Sequence, residues 1–227
     1  MNIQGIVFDL YGTLYDLGAV AQACEDTFPA RGAQLSHAWR QKQLEYSWLR
    51  TLMERYADFD SVTEDALAFV CADLKLDLDA GTRRRLCDQY LRLPPFADMP
   101  ASLRRLRDAG LPLAILSNAS RRGLAQVIGN SGMKWGFDHL ISVDEVQVFK
   151  PQRKVYLLAE ERLGTAREHL LFVSANSWDA AAAKTFGFEV CWINRLQRPF
   201  DQLGATPSCE VSNLSEMAEW VLAQSLK

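Results

Sequence analysis

Short apolar, β-branched runs alternate with segments of helical periodicity along most of the chain. This alternation predicts a parallel sheet with helices on both of its faces. The predicted strands span residues 5–8, 113–116, 140–143, 170–173 and 190–193. Between them lie helices such as 101–109, which Gly110 ends from the position where a left-handed backbone suits glycine. Residues 160–163 belong to another helix, closed by Gly164. The N-x-x-E spacing of Asn213 and Glu216 resembles a capping arrangement at the start of the last helix.

One stretch breaks the alternation. From about Asp16 to Phe96 no convincing strand is found, only amphipathic helical patterns. Ser36 is the expected N-cap of a long helix ending near Tyr56. Ser61 and Glu64 form an S-x-x-E capping box for the next helix. A third helix over 79–91 stops before Pro94-Pro95, since two prolines cannot continue a helix. The expected organisation is an α/β core of residues 1–15 and 97–227, interrupted by a helical domain of residues 16–96. There are no internal repeats or low-complexity segments.

Composition narrows the partners. The 227 residues are 48% hydrophobic and 23% charged, an ordinary globular balance with ample core material. A net charge of -3 offers no polyanion-binding surface, so nucleic acid is not an expected partner. No apolar run approaches the roughly 20 residues that span a bilayer, so no membrane association is expected either. The opening MNIQGIVFDLYGTLYD lacks a basic leader region and carries Asp9 inside its apolar stretch, unlike a signal peptide. Cys24, Cys71, Cys87, Cys191 and Cys209 are odd in number, scattered and without C-x-x-C spacing. They read as reduced, mostly buried thiols in a cytoplasmic protein.

Ligands of open α/β sheets bind beyond the carboxyl ends of the strands, so the polar residues that follow each apolar run are informative. The first strand is followed by Asp9, Tyr11 and Thr13, and the second by Ser117 and Asn118. A loop after the third leads to Lys150-Pro151. Ser174, Asn176, Trp178 and Asp179 follow the fourth. Four strand ends thus deliver two carboxylates, hydroxyls, amides and a lysine to one edge.

The segments FDLYGTL, LSN, FKP and FVSANSWDA resemble, in order and spacing, the four motifs of the haloacid dehalogenase superfamily. WRQKQLEYSWLRTLMERY, DLYGTLYD, LRLPPF and FGFEVCWINR resemble the L-2-haloacid dehalogenases in particular, over essentially the whole chain. The resemblance implies a Rossmann-like doubly wound core with an inserted helical cap, acting without metal or cofactor. It implies hydrolysis of short L-2-haloalkanoic acids to D-2-hydroxy acids with inversion, through an ester on Asp9. A carboxylate suits this displacement because it is ionised at neutral pH and needs no activating base.

The resemblance also implies roles for the other residues. Tyr11 stands where the superfamily's phosphatases carry the second aspartate of D-x-D, and halide, a stable anion, needs no leaving-group acid. Arg40 and Asn118 would bind the departing halide. Taken alone, an arginine on an amphipathic helix is an ordinary solvated charge. Ser117 would hold the substrate carboxylate with backbone N–H groups near Leu10, Tyr11 and Asn118. Lys150 would keep Asp9 ionised, while Thr13, Tyr156, Ser174 and Asn176 support the charged groups. Asp179 has two open roles, general base for the hydrolytic water or an orienting partner of Lys150 and Asn176. Tyr11, Gln41, Leu44, Phe59 and Trp178 would wall the substrate's alkyl chain.

Three positions depart from the pattern: Ala119 stands where glycine is common, and Ala175 and Ser177 flank Asn176. An alanine forced to positive φ would be strained there. The rival readings are a fluoroacetate-preferring dehalogenase, a phosphatase and a silent binding module on the same fold. The resemblance further implies a homodimer, for which Trp39, Trp48 and Leu52 on the long helix are the expected apolar surface.

Overall fold

The computed structural model describes residues 2–224. Six strands, β1 (Gly5–Phe8), β2 (Leu113–Ser117), β3 (His139–Ser142), β4 (Leu170–Ser174), β5 (Glu189–Ile193) and β6 (Cys209–Val211), pair in parallel in the order β3-β2-β1-β4-β5-β6. This is the doubly wound α/β fold that the alternation predicts. Every residue of β1, β2 and β4 is buried, as central strands of a sheet covered on both faces must be. The predicted set lacks β6, whose three residues are too few to show a period. Val143, predicted as strand, instead opens a short 3-10 turn.

The strand order reverses at β1, which has β2 on one side and β4 on the other. A crevice therefore opens beyond the carboxyl ends of β1 and β4, the general ligand position of such sheets. Helices α5 (Met99–Asp108), α6 (Arg121–Asn130), α7 (Arg153–Leu163), α8 (Ser177–Thr185) and α9 (Leu214–Gln224) accompany the later strands. Gly110 and Gly164 take the left-handed conformations expected of them.

Four helices, α1 (Gly18–Thr27), α2 (Gly32–Leu52), α3 (Phe59–Asp73) and α4 (Ala80–Cys87), fill the stretch between β1 and α5, with a 3-10 turn over Asp88–Leu91. Two expected caps are corrected. α2 begins at Gly32, so Ser36 lies inside it and its hydroxyl donates back to the Ala33 carbonyl. It ends at Leu52, before Glu54 turns to positive φ. Asp58, not Ser61, caps α3: the helix starts at Phe59, which puts Ser61 in the first turn, where its free N–H donates to Asp58 Oδ1 at 2.8 Å. The helical stretch is tied to the sheet half by hydrogen bonds, among them one from Asn130 Nδ2 to the Leu91 carbonyl (2.7 Å). The Phe149 N–H donates to Thr51 Oγ1 (3.0 Å), Ser120 Oγ donates to Asp60 Oδ2 (2.9 Å), and the Tyr56 hydroxyl donates to Asp144.

Among the described residues no helix is long and apolar enough to cross a membrane, and the five cysteines are free thiols. α2 approaches α1 most closely at Gly32, where an added Cβ would lie 2.2 Å from the Glu25 backbone. Gly32→Ala should therefore lower stability by about 1–3 kcal/mol through overpacking, read as a lower urea midpoint at unchanged slope.

Candidate active site

Asp9 follows β1 directly and is 6% exposed. Its Oδ1 accepts from Lys150 Nζ at 3.1 Å. Its Oδ2 accepts from Thr13 Oγ1 at 3.0 Å and from Asn176 Nδ2 at 2.8 Å. Thr13 Oγ1 in turn accepts from the Ala175 N–H, which joins the end of β1 to the end of β4. Lys150, 1% exposed, also donates to Asp179 Oδ2 at 2.9 Å and lies over the Phe172 ring. Its peptide bond to Pro151 is cis. Asp179 is fully buried and accepts from the Tyr156 hydroxyl at 2.5 Å and from Ser174 Oγ at 3.3 Å. Asp179 thus caps no helix: its side chain faces the lysine.

The electrostatics follow from burial and pairing. Burial alone would lower the Lys150 ammonium, but Asp179 and then Asp9 outweigh it and hold it above its ordinary range. Burial pushes Asp179 up to about 6, against the pull of Lys150 and the Tyr156 hydrogen bond, so it stays a carboxylate at neutral pH. Burial, then the adjacent Asp179 charge, raises the Tyr156 hydroxyl well above its usual range. It therefore remains a donor.

Opposite this triad stands a hydrogen-bond-poor face. Lys150 N–H donates to Asn118 Oδ1 at 2.9 Å, which leaves the Asn118 amide N–H groups free to face a ligand. Ser117 Oγ accepts from the Ala119 N–H, and its own proton is unused among the described residues. The backbone N–H groups of Leu10, Tyr11 and Asn118 likewise have no partner among them. Free N–H groups at two adjoining strand ends are suited to an anion. Ala119 does not adopt positive φ, so the departure from glycine there carries no backbone strain.

The walls come from the inserted helices. Tyr11 stacks on Phe59 (centroids 5.8 Å apart) and meets Tyr90 edge-on at 5.6 Å. Phe59 also packs on Phe149. Leu44 and Trp178 are half-buried, and Trp178 meets Trp48 edge-on at 5.6 Å. Beside them runs an apolar groove of about 450 Å³ lined by Trp48, Leu52, Phe149, Trp178 and Leu203. Arg40 is half-buried, and its charge bears on the Tyr11 and Tyr90 hydroxyls. No carboxylate pairs with it among the described residues; Nη1 donates to Gln43 Oε1 at 3.2 Å.

Gln41 is exposed and makes no side-chain hydrogen bond among the described residues; it shares a helix face with Leu44 and Trp48, three and seven residues on, away from the buried stripe Leu35, Trp39, Gln43 and Ser47 of α2. One expected placement is corrected. Trp39 belongs to that stripe, fully buried with its ring N–H on the Thr63 carbonyl, and offers no outer surface. The sequence reading passed over Gln43. Its signal was its spacing of four from Trp39 and three from Arg40, which sets it beside both on one helix face.

Replacing Tyr156 with Phe removes a hydrogen bond that favours the charged form of Asp179. The Asp179 carboxyl should then titrate above about 6, observable by carboxyl-carbon NMR against wild type; an unmoved or lower midpoint would contradict this electrostatic account.

Comparison with known proteins adds to the geometry. A family model described as haloacid dehalogenase-like hydrolase matches residues 3–187. The chain is 58% identical over 221 residues to the (S)-2-haloacid dehalogenase of Pseudomonas putida, covering 97% of each. A crystallised L-2-haloacid dehalogenase superposes with a TM-score of 0.96 at 38% identity, covering 98% of this chain and all of the other. The L-2-haloacid dehalogenase of Xanthobacter autotrophicus, solved with chloropropionic acid covalently bound, superposes with a TM-score of 0.92 at 39% identity, covering 97% and 98%.

Proposed function

The chain belongs to the haloacid dehalogenase-like hydrolases, and from that membership we propose that it hydrolyses short L-2-haloalkanoic acids to D-2-hydroxy acids, with inversion and without metal. The observation that carries this reading is a buried carboxylate, Asp9, paired with Lys150 and facing a polar pocket that contains no second carboxylate at position 11. Hydrolase chemistry at a carbon–halogen bond needs a nucleophile, an anion site for the substrate and a place for the leaving halide.

Each has a candidate. Ser117 Oγ with the free N–H groups of Leu10, Tyr11 and Asn118 suits the substrate carboxylate. Asp9 Oδ1 carries one hydrogen bond where Oδ2 carries two, so it retains the freer lone pair. It attacks C2 from behind as the C2–halogen bond breaks, forming an aspartyl ester and inverting the carbon. The halide moves toward the Arg40 guanidinium and the Asn118 amide, which meet charge as it develops. Water then adds to the ester carbonyl, and collapse of the adduct releases the hydroxy acid and regenerates Asp9.

For Asp179 the orienting role is the better supported of the two. Its oxygens already accept from Tyr156, Lys150 and Ser174, and it is fully buried. Metal independence is supported by Lys150, whose ammonium already bridges Asp9 and Asp179. Tyr11, Leu44, Phe59 and Trp178 surround the alkyl chain, so residues 16–96 act as a cap domain over the core of residues 1–15 and 97–227. Five free thiols support a cytoplasmic location.

The decisive assay is halide release from L- and D-2-chloropropionate with EDTA present. Release from the L-form alone is expected, unaffected by EDTA and reduced more than about a thousandfold in Asp9→Asn. A single turnover in heavy-oxygen water should label Asp9 and leave the first product unlabelled. Labelled product from that turnover would sink the nucleophile assignment, and release from fluoroacetate alone would shift the substrate class.

A homodimer is supported by the apolar outer face of α2. Leu52 is 80% exposed, and Leu49, Met53 and Leu203 are exposed near it. Sedimentation at micromolar concentration should give twice the 25.6 kDa of one chain, and a monomer mass would count against the dimer.

A further inference from the structure

Gln43 is a fully buried amide on α2, among otherwise aromatic and apolar neighbours. Such a group persists only when its hydrogen bonds are met. Its Oε1 accepts from Arg40 Nη1 at 3.2 Å and from the Tyr90 hydroxyl at 3.1 Å. Its Nε2 donates to Thr63 Oγ1 at 2.7 Å, and Thr63 Oγ1 donates to the Phe59 carbonyl at 2.7 Å. One amide thus joins the arginine, the wall residue Phe59 and Tyr90, which packs against Tyr11.

The choice of an amide has an electrostatic consequence. A carboxylate at this position would orient the guanidinium equally well but cancel its charge. An apolar side chain would leave the charge intact but lose the orientation. The neutral acceptor does both: it directs Arg40 along the helix face while leaving the positive charge uncompensated, consistent with the absence of any carboxylate partner among the described residues. The Arg40–Gln43 bond is an i,i+3 contact within one helix, so it holds independently of what occupies the site.

We infer that Gln43 is a positioning residue that holds Arg40 as an uncompensated cation for the departing halide. This deepens the dehalogenase reading and rests on it for the role of Arg40. Gln43 itself touches neither the substrate nor the reacting atoms; it acts through the guanidinium.

The test compares wild type with Gln43→Glu and Gln43→Met in two measurements, bromide binding by calorimetry and steady-state turnover of L-2-chloropropionate. Gln43→Glu keeps the acceptor but supplies a countercharge. It should weaken bromide binding and lower kcat by roughly tenfold or more, the scale of a hydrogen bond to a charged group, with KM little changed. Gln43→Met should lower both by about threefold, a net cost of the size of one ordinary hydrogen bond, since the guanidinium loses its orientation and keeps its charge. A merely structural role would instead lower the melting temperature in both variants and leave bromide affinity and kcat per folded enzyme unmoved, which would overturn the inference. If Gln43→Glu does not fold, Gln43→Met decides: unchanged bromide affinity overturns the positioning role, and a loss supports it. Wild type that binds bromide but releases no halide would instead refute the dehalogenase reading. The bromide affinities of the variants would still decide for or against the tether.

Discussion

The site depends on one buried cation. Lys150 Nζ sits between the carboxylates of Asp9 and Asp179, out of contact with water. Burial by itself disfavours the charged form of any such group, so a lone buried charge here would be costly. The set is compensated internally: Lys150 Nζ lies 3.1 Å from Asp9 Oδ1 and 2.9 Å from Asp179 Oδ2, while Thr13, Asn176 and Tyr156 donate to the carboxylates' other oxygens. Breaking such a buried set by removing one member costs about 3–5 kcal/mol, since the others are left uncompensated. The arrangement sets a carboxylate paired with an ammonium at a strand end largely closed to water.

That triad is assembled from distant parts of the chain by the sheet. β1 and β4 are neighbours at the point where strand order reverses, so Asp9 and Ser174 meet although 165 positions separate them, and α8 follows at once with Asp179. The Thr13–Ala175 hydrogen bond closes the same junction. Asn118 plays a double part, since spending its carbonyl on the Lys150 backbone fixes which way its amide N–H groups point. Backbone topology sets the positions, and a few side-chain bonds set the orientations.

The opposite half is built differently. α2 and α3 bring apolar and aromatic side chains together with Arg40, and three hydrogen bonds at Thr51, Tyr56 and Asp60 hold them against the strand-end loops. Charge is thus divided across the pocket. The Asp9 carboxylate is paired with its lysine, while the Arg40 guanidinium on α2 has no carboxylate partner among the described residues. A displacement with charge moving from one face to the other is what such a division favours.

The alternation of apolar runs with helical periods, and the polar residues just after each run, determined the fold class and which polar side chains gather at one sheet edge. Both are local signals: a strand's end and its next residues are contiguous in sequence, and burial on both faces writes itself as an unbroken apolar run. Other features were decided only by tertiary structure. Ser36 fell inside α2 and Asp58 took the cap expected of Ser61 on α3, because helix ends depend on which N–H groups are left free, a matter of a few residues. Gln41 turned outward and Gln43 inward, since polar character alone does not say which face of α2 a neighbouring helix will cover. Trp39 went to the core for the same reason. The short edge strand β6 exists only because β5 offers it a partner. Sequence carries what is periodic or contiguous; which face is covered, and which lone pair is left free, is settled by the packing of elements far apart in the chain.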